Sequence, residues 1–251
     1  QVTCCTEGKQ TGSEPDQGAR VGPEVDNVTG KPMKQLRPVL LALLTILGLV
    51  LASAVAAKPV LDKEYKLIDP AQPQPATVKG VEVLEFFNYA CPHCYEFEPN
   101  LKSWLKTKPK KAEFRYVPAV FNERMIPLAK IYYALEELGL LEKLHDKVYY
   151  AIHQQQLNLI ERAILLKWMG EQGVDSKKFE ATYDSFSVNN KVQRAAQMTR
   201  NYHVPGTPYL IIGGRYLTGP SMIVGADGNV DHERLKQVLN ELIDISQGGT
   251  R

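Results

Sequence analysis

Residues 81–94 read VEVLEFFNYACPHC, and this stretch decides the fold. Its first ten residues are mostly apolar or aromatic, which predicts a buried central strand. Apolar side chains then recur at helical spacing, at Phe97, Leu101, Trp104 and Leu105. A Cys-x-x-Cys pair, Cys91 and Cys94, therefore lies where a strand hands over to a helix.

This position suits redox chemistry. Cys91 falls at the start of the predicted helix, where free N–H groups and the helix dipole favour a thiolate over a thiol. Cys94 lies one turn further on, close enough to form a small disulfide with it. Because the thiolate is the nucleophile in thiol chemistry, the pattern predicts a redox-active dithiol.

Two other uses of the pair are open but weaker. A zinc site needs four ligands, and the remaining cysteines, Cys4 and Cys5, are adjacent to each other in a different region. A purely structural disulfide across so short a span closes almost no loop and stabilises little. We expect no metal.

The chain begins with a polar segment, residues 1–32, that contains few large apolar side chains. Such a composition cannot bury a core, so we predict a disordered upstream extension. The first methionine is Met33, and we expect the natural protein to start there.

Residues 33–57 have the layout of a signal peptide. The positive residues Lys34 and Arg37 come first, an apolar run over 39–50 follows, and small residues fill 52–57. A membrane anchor is the alternative, but the apolar run is short for that role. The prediction is export with cleavage of this segment.

Cleavage would leave only two cysteines, Cys91 and Cys94, in the mature chain. An oxidising compartment suits such a pair, because no other thiol can mispair with it. The chain carries 30 Lys and Arg against 28 Asp and Glu. This balance, without a basic stripe, argues against nucleic acid as a partner. We expect a monomer.

The periodicity predicts an α/β protein. Strands are expected over 65–68, 81–89 and 112–117, helices over 91–106, 127–138, 141–153, 161–171, 176–186 and 188–202, and a hairpin over 209–217 before a last helix capped by Asp231. Without the block of helices, the order is that of a thioredoxin-like fold. The predicted domains are therefore a thioredoxin-like domain in two parts, 58–121 and 191–251, with an all-helical insertion domain at 122–190.

The mature chain resembles bacterial periplasmic thiol:disulfide interchange proteins of the DsbA type. The resemblance extends over the helical insertion, and Pro-His between the cysteines is its most discriminating feature. Its motifs are Glu85-Phe86-Phe87, Cys91-Pro92-His93-Cys94-Tyr95, Phe97-Glu98 and Val204-Pro205-Gly206-Thr207-Pro208.

The resemblance implies a thioredoxin fold, protein thiol oxidase activity, and no cofactor besides the redox-active disulfide Cys91–Cys94. It implies unfolded exported proteins as substrates and a membrane quinone-linked reoxidase of the DsbB type as a partner. Thr207-Pro208 matches a family position where a cis-proline faces the active site, so these two residues are expected to bind substrate.

Each residue of the motif has an expected role. Cys91 is the exposed attacking sulfur and Cys94 the buried resolving thiol. Pro92 suits the first turn of a helix. The His93 ring is expected to donate to the Cys91 thiolate or to favour it electrostatically; the alternative is a histidine that faces solvent without a partner.

Glu85 lies on the predicted central strand, and burial there would raise its pKa. In the family the matching glutamate lies beneath the dithiol, so proton exchange with Cys94 is expected, with a structural role as the alternative. Glu98 and Arg115 resemble charged family positions more weakly. We expect His145 and His153 to be surface or capping residues.

Two other functions remain as alternatives. A thiol reductase or isomerase of the same fold is disfavoured by Pro92-His93. A periplasmic chaperone without redox chemistry would use the apolar helical insertion instead. Replacing Cys91 separates these possibilities, because a chaperone would keep its activity.

Overall fold

The computed structural model describes residues 58–248. The predicted extension and signal peptide, residues 1–57, lie outside the described residues and stay predictions. Between residues 58 and 248, no helix is both long and apolar enough to cross a membrane.

One mixed sheet forms the centre of the described chain. Its strands are β1 (Lys66–Leu67), β2 (Val81–Phe87), β3 (Ala112–Pro118), β4 (Tyr209–Ile212) and β5 (Tyr216–Thr218), in the order β1-β5-β4-β2-β3. Strand β2 runs parallel to β3 and antiparallel to β4. Every residue of β2 is buried, which explains its nearly continuous apolar sequence.

Seven α-helices surround this sheet within the described part of the chain. They are α1 (Pro92–Thr107), α2 (Ile126–Glu137), α3 (Leu141–His153), α4 (Arg162–Glu171), α5 (Ser176–Tyr183), α6 (Phe186–Asn201) and α7 (His232–Gly248). Helices α1 and α7 share one core with Val83 of β2. Helices α2–α6 share a second core with Leu84 and Phe86. This arrangement confirms the predicted thioredoxin-like fold with a helical insertion.

Side-chain caps set several helix ends. As predicted, Asp175 caps α5, because its Oδ1 accepts a hydrogen bond from Lys177 N (2.9 Å), and Asp231 caps α7. The predicted helix over 176–186 was too long. It ends at Tyr183 because Ser185 caps the next helix by accepting from Val188 N (3.1 Å).

The hairpin lies where it was predicted. Gly213 and Gly214 form its turn with φ angles of +59° and +67°, a region that glycine enters readily. The domain boundaries stay predictions, and α6 runs across the one placed between residues 190 and 191.

Candidate active site

The two cysteines differ sharply in their surroundings. Cys91 is the N-cap residue of α1, and Pro92 occupies the first helical position. Cys91 is half-buried, whereas Cys94 is fully buried one turn into the helix, and both are free thiols. One sulfur is therefore open to a partner protein while the other is enclosed.

Hydrogen bonding by the Cys94 thiol is the largest cause that lowers the pKa of Cys91, to about 5. Burial opposes this effect, and hydrogen bonding by the Thr207 side chain adds to it. The backbone N–H groups of Cys94 and His93 contribute less, and neither completes a capping hydrogen bond to Sγ in the thiol form. Near neutral pH, Cys91 is therefore a thiolate.

The pKa of Cys94 moves in the opposite direction. Burial raises it most, and the hydrogen bond given to Cys91 and the electrostatic interaction with the Glu85 carboxyl raise it further. Cys94 therefore keeps its proton when Cys91 has lost its own. The pair consists of an exposed thiolate and a buried thiol.

The His93 ring faces solvent, as in the alternative that the sequence left open, but it has a partner in Glu96. Its side chain is 77% exposed, and its Nδ1 lies 3.3 Å from Oε2 of Glu96. The contribution of His93 to Cys91 comes from its backbone N–H. Pro92 has no N–H, so the donors at this helix end begin at His93.

A second loop approaches the sulfur from the other side. The Thr207–Pro208 peptide bond is cis, as predicted, and Cys91 Sγ in its thiol form donates to the Thr207 carbonyl oxygen at 3.3 Å. A groove of about 250 Å³ runs beside this loop. Its lining consists of His93, Glu96, Phe97, Thr207, Pro208, Pro220, Ser221, Val230 and His232.

Glu85 is fully buried on β2, and neither of its carboxyl oxygens has a hydrogen-bond partner among the described residues. Burial raises its pKa well above the usual range, and the negative charges of Glu98 and Cys91 add to the shift. Burial therefore favours the neutral form of the Glu85 carboxyl, and its influence on the pKa of Cys94 indicates that it lies near that thiol.

Arg115 does not join this buried group. Its guanidinium pairs with Glu82 Oε1 at 2.8 Å. Tyr116 lies directly opposite Glu85 across the parallel strands and donates its hydroxyl to Glu98 Oε1 at 2.8 Å. The residue opposite Glu85 on the neighbouring strand is therefore a phenol that is hydrogen-bonded to Glu98.

His145 was wrongly expected at the surface. Its side chain is buried, with Nδ1 2.8 Å from the Tyr89 hydroxyl and Nε2 3.6 Å from Glu98 Oε1. A signal existed in the sequence, because His145 shares the apolar stripe of α3 with Leu144, Val148 and Tyr149. His153 bonds the Tyr89 carbonyl oxygen at 2.8 Å and stacks on Tyr95.

Three side chains that could bind a metal ion lie close together. One potential ligand atom from each of Glu98, His145 and Asp146 lies within 4.8 Å of the other two. The ammonium group of Lys102 pairs with both carboxylates of this set. The lysine thus already supplies the positive charge that a metal ion would bring. The expectation of no metal stays a prediction.

Known proteins were compared with this chain. The family model described as a DSBA-like thioredoxin domain matches residues 82–239. The thiol:disulfide interchange protein DsbA of Burkholderia cepacia is 38% identical over 210 residues, covering 83% of this chain and 96% of that protein. The DsbA of Bordetella parapertussis is 41% identical over 182 residues, covering 72% and 83%.

Solved structures agree. The crystal structure of Pseudomonas aeruginosa DsbA superposes with a TM-score of 0.69 at 27% identity, covering 76% of this chain and 95% of that one. Reduced DsbA1 from Neisseria meningitidis gives a TM-score of 0.65 at 28% identity, covering 76% and 97%. The match spans the sheet, the helical insertion and the dithiol, and the chain belongs to the DsbA family of thiol:disulfide interchange proteins.

Proposed function

We propose that this chain is a protein thiol oxidase that donates the Cys91–Cys94 disulfide to exported proteins as they fold. The observation that carries the proposal is the opposite shift of the two thiols: the pKa of Cys91 is lowered to about 5, while that of Cys94 is raised. A stabilised thiolate leaves readily, so the disulfide is easily reduced by a client. DsbA is itself the usual example of a couple made oxidising in this way.

The reaction has two exchange steps. A client thiolate attacks Cys91 Sγ, which breaks the Cys91–Cys94 bond and forms a mixed disulfide. Cys94 leaves as a thiolate and takes up one proton. A second client thiolate then attacks the client sulfur of the mixed disulfide and expels Cys91 as a thiolate. The client loses two electrons, and the protein gains them as a dithiol.

Glu85 supplies the proton to Cys94 in this scheme. Its pKa is raised chiefly by burial, so the carboxyl is protonated when the disulfide is attacked. During reoxidation the same group accepts the proton back and allows Cys94 to attack. A group that both gives and takes a proton is suited to the two directions of the exchange.

Substrate binding is assigned to the Thr207–Pro208 loop and the groove beside it. The Thr207 carbonyl lies beside the reactive sulfur, and an extended client segment can pair with the backbone there as an added strand. Phe97 and Pro208 give the groove apolar surface for a neighbouring client side chain.

Membership of the DsbA family supports a proposal for the cellular compartment and the redox partner. We propose that residues 33–57 direct export to the periplasm and that a membrane quinone-linked protein of the DsbB type reoxidises the dithiol. The redox group is the disulfide itself, with no bound cofactor. The protein acts as a monomer on unfolded clients and has no nucleic-acid partner.

The test is the reduction potential, measured by equilibration with glutathione buffers. We expect a value more oxidising than the roughly −180 mV of protein disulfide isomerase. A value near the roughly −270 mV of thioredoxin would indicate a reductase instead. Cys91→Ser should abolish oxidation of a peptide dithiol; a variant that still suppresses client aggregation as well as the wild type would point to a chaperone.

A further inference from the structure

His145 sits in the protein interior although its helix, α3, belongs to the insertion. One ring nitrogen, Nδ1, is anchored 2.8 Å from the Tyr89 hydroxyl. The other, Nε2, has no hydrogen-bond partner among residues 58–248 and lies 3.6 Å from Glu98 Oε1. The imidazole is thus held at one end and aimed at a carboxylate of the active-site helix at the other.

The anchor allows both tautomers of the ring. A phenol hydroxyl can donate or accept a hydrogen bond. When Tyr89 donates to Nδ1 of His145, Nε2 carries the proton and faces Glu98 as a donor. When Tyr89 accepts, Nε2 offers its lone pair to a protonated Glu98. Nε2 of His145 can therefore face Glu98 either as a donor or as an acceptor without movement of the ring.

Tyr116 connects Glu98 to the buried acid: it lies opposite Glu85 across the parallel strands and donates its hydroxyl to Glu98 Oε1 at 2.8 Å. After burial, the charge of Glu98 is the largest cause that raises the pKa of Glu85, so the two carboxyls are electrostatically linked. Glu98 also lines a groove of about 400 Å³ between α1 and α3, beside Lys102 and Asp146. Glu98 is therefore the carboxyl of this pair that a groove open to solvent reaches.

Four of the titratable groups around His145 are phenols. Burial raises the pKa of Tyr89, Tyr116, Tyr132 and Tyr149, so these groups stay neutral in the physiological range. The remaining charges nearby belong to Glu98, Lys102 and Asp146. Within this set, His145 and Glu98 are the pair placed to exchange a proton.

We propose that His145 is a positioning residue that holds and exchanges the proton of Glu98, and thereby sets how fast Glu85 regains the proton it gives to Cys94. This inference rests on the proposed function, in which each attack on the disulfide releases a thiolate at Cys94. One proton enters from the groove for each disulfide broken, and no electrons move in this step.

The experiment mixes the oxidised protein with a peptide that carries one cysteine and follows formation of the mixed disulfide by acid quenching and mass spectrometry. Rates are measured at about pH 5 and about pH 8, the limits between which histidine changes charge. Each rate is divided by the thiolate fraction of the peptide. The variants are His145→Gln, Glu98→Gln and the double variant.

We expect His145→Gln to slow the corrected rate about tenfold at the higher pH, within the range of coupling seen for contacting residues. Little slowing is expected at the lower pH, where protons in solution are about a thousand times more abundant and the supply of protons no longer limits the rate. In the Glu98→Gln background, His145→Gln should add less than about twofold, because the two residues act in sequence. The Cys91 thiolate absorbance midpoint should not move.

His153→Gln is the matched control, because it removes the other hydrogen bond from α3 to Tyr89. Any slowing it causes should be the same with and without Glu98. Tyr89→Phe keeps the imidazole but removes its anchor, and should give a smaller, pH-dependent slowing. This variant decides the question if His145→Gln does not fold.

Equal slowing of His145→Gln at both pH values, or an effect that adds fully to that of Glu98→Gln, would make His145 a packing residue. A wild-type rate in Tyr89→Phe at the higher pH would also overturn the proposal. If the wild-type disulfide formed no mixed disulfide at all, the proposed oxidase function would fail instead.

Discussion

The Sγ atom of Cys91 lies 3.3 Å from the backbone carbonyl oxygen of Thr207, although the two residues are 116 positions apart in the sequence. A carbonyl only accepts hydrogen bonds, so this contact stabilises the protonated thiol. Hydrogen bonding by the Thr207 side chain instead lowers the pKa of Cys91. The backbone carbonyl of Thr207 therefore stabilises the Cys91 thiol, whereas its side chain stabilises the Cys91 thiolate.

Thr207→Val should raise the pKa of Cys91 by about one unit or less, because it removes the hydroxyl and keeps the carbonyl. Thiolate absorbance of the reduced protein against pH measures the midpoint. Thr218→Val is the control. The Thr218 hydroxyl donates to the Glu64 carbonyl oxygen (2.7 Å) and is not among the groups that shift the pKa of Cys91. A fall in the midpoint for Thr207→Val would contradict the assigned role.

Cys94 should matter more to Cys91 than any other residue, because hydrogen bonding by its thiol is the largest cause of the lowered pKa. Cys94→Ala should raise the Cys91 midpoint by more than about one unit. Cys94→Ser keeps a hydroxyl donor in the same place and should remain closer to the wild type. In protein made without residues 1–57, both variants keep one thiol, so absorbance reports Cys91 alone, and equal midpoints would exclude the hydrogen bond as the cause.

Much of the fold could be predicted because its signals are local. The apolar run of β2, the Gly213-Gly214 turn and the cap at Asp231 each depend on neighbouring residues. The ends of the insertion helices were harder. The break before α6 depends on the single cap at Ser185, whose effect is small compared with the periodicity on either side.

The site divides in the same way. Cys91 and Cys94 could be identified because they lie between a predicted strand and a predicted helix, and the start of a helix is set by neighbouring residues. The pairing of Arg115 with Glu82 and the burial of His145 depend on elements distant in sequence. A single sequence carries no register between β2 and β3, so Tyr116 could not be placed opposite Glu85.

The reduced protein should be more stable than the oxidised protein near neutral pH. The folded pKa of Cys91, about 5, lies below the unfolded value of about 8.5, so ionisation favours the folded state. This contribution is complete above the unfolded pKa and fades as pH falls through the folded pKa. The disulfide offsets little of it, because its loop is short.

Denaturant midpoints of both redox forms at about pH 7 and about pH 4 measure this difference. The advantage of the reduced form should be clear at the higher pH and absent at the lower one. An advantage of the same size at both values would show that it does not arise from the Cys91 thiolate.

Glu85→Gln should slow oxidation of a peptide dithiol by roughly 100-fold, the lower end of the range for general acid–base catalysis. An amide fills the same buried space but cannot protonate the leaving Cys94 thiolate. Glu82→Gln is the matched control, because Glu82 is also buried on β2 but pairs with Arg115. It should lower stability and leave the oxidation rate unchanged.

Glu85→Gln should become more stable relative to the wild type as pH rises, although it is the slower oxidase. The folded pKa of Glu85 lies above the unfolded value of about 4.3, so its favourable burial as a neutral acid is complete below that value and is lost as pH rises through the folded pKa. Glutamine stays neutral and suffers no such loss. Relative to the wild type, the variant should therefore gain stability from about pH 4 to pH 7 in denaturant titrations, while becoming the slower oxidase. A variant that loses stability throughout this range would mean that the Glu85 carboxyl has hydrogen-bond partners in solution and is not held as an isolated acid.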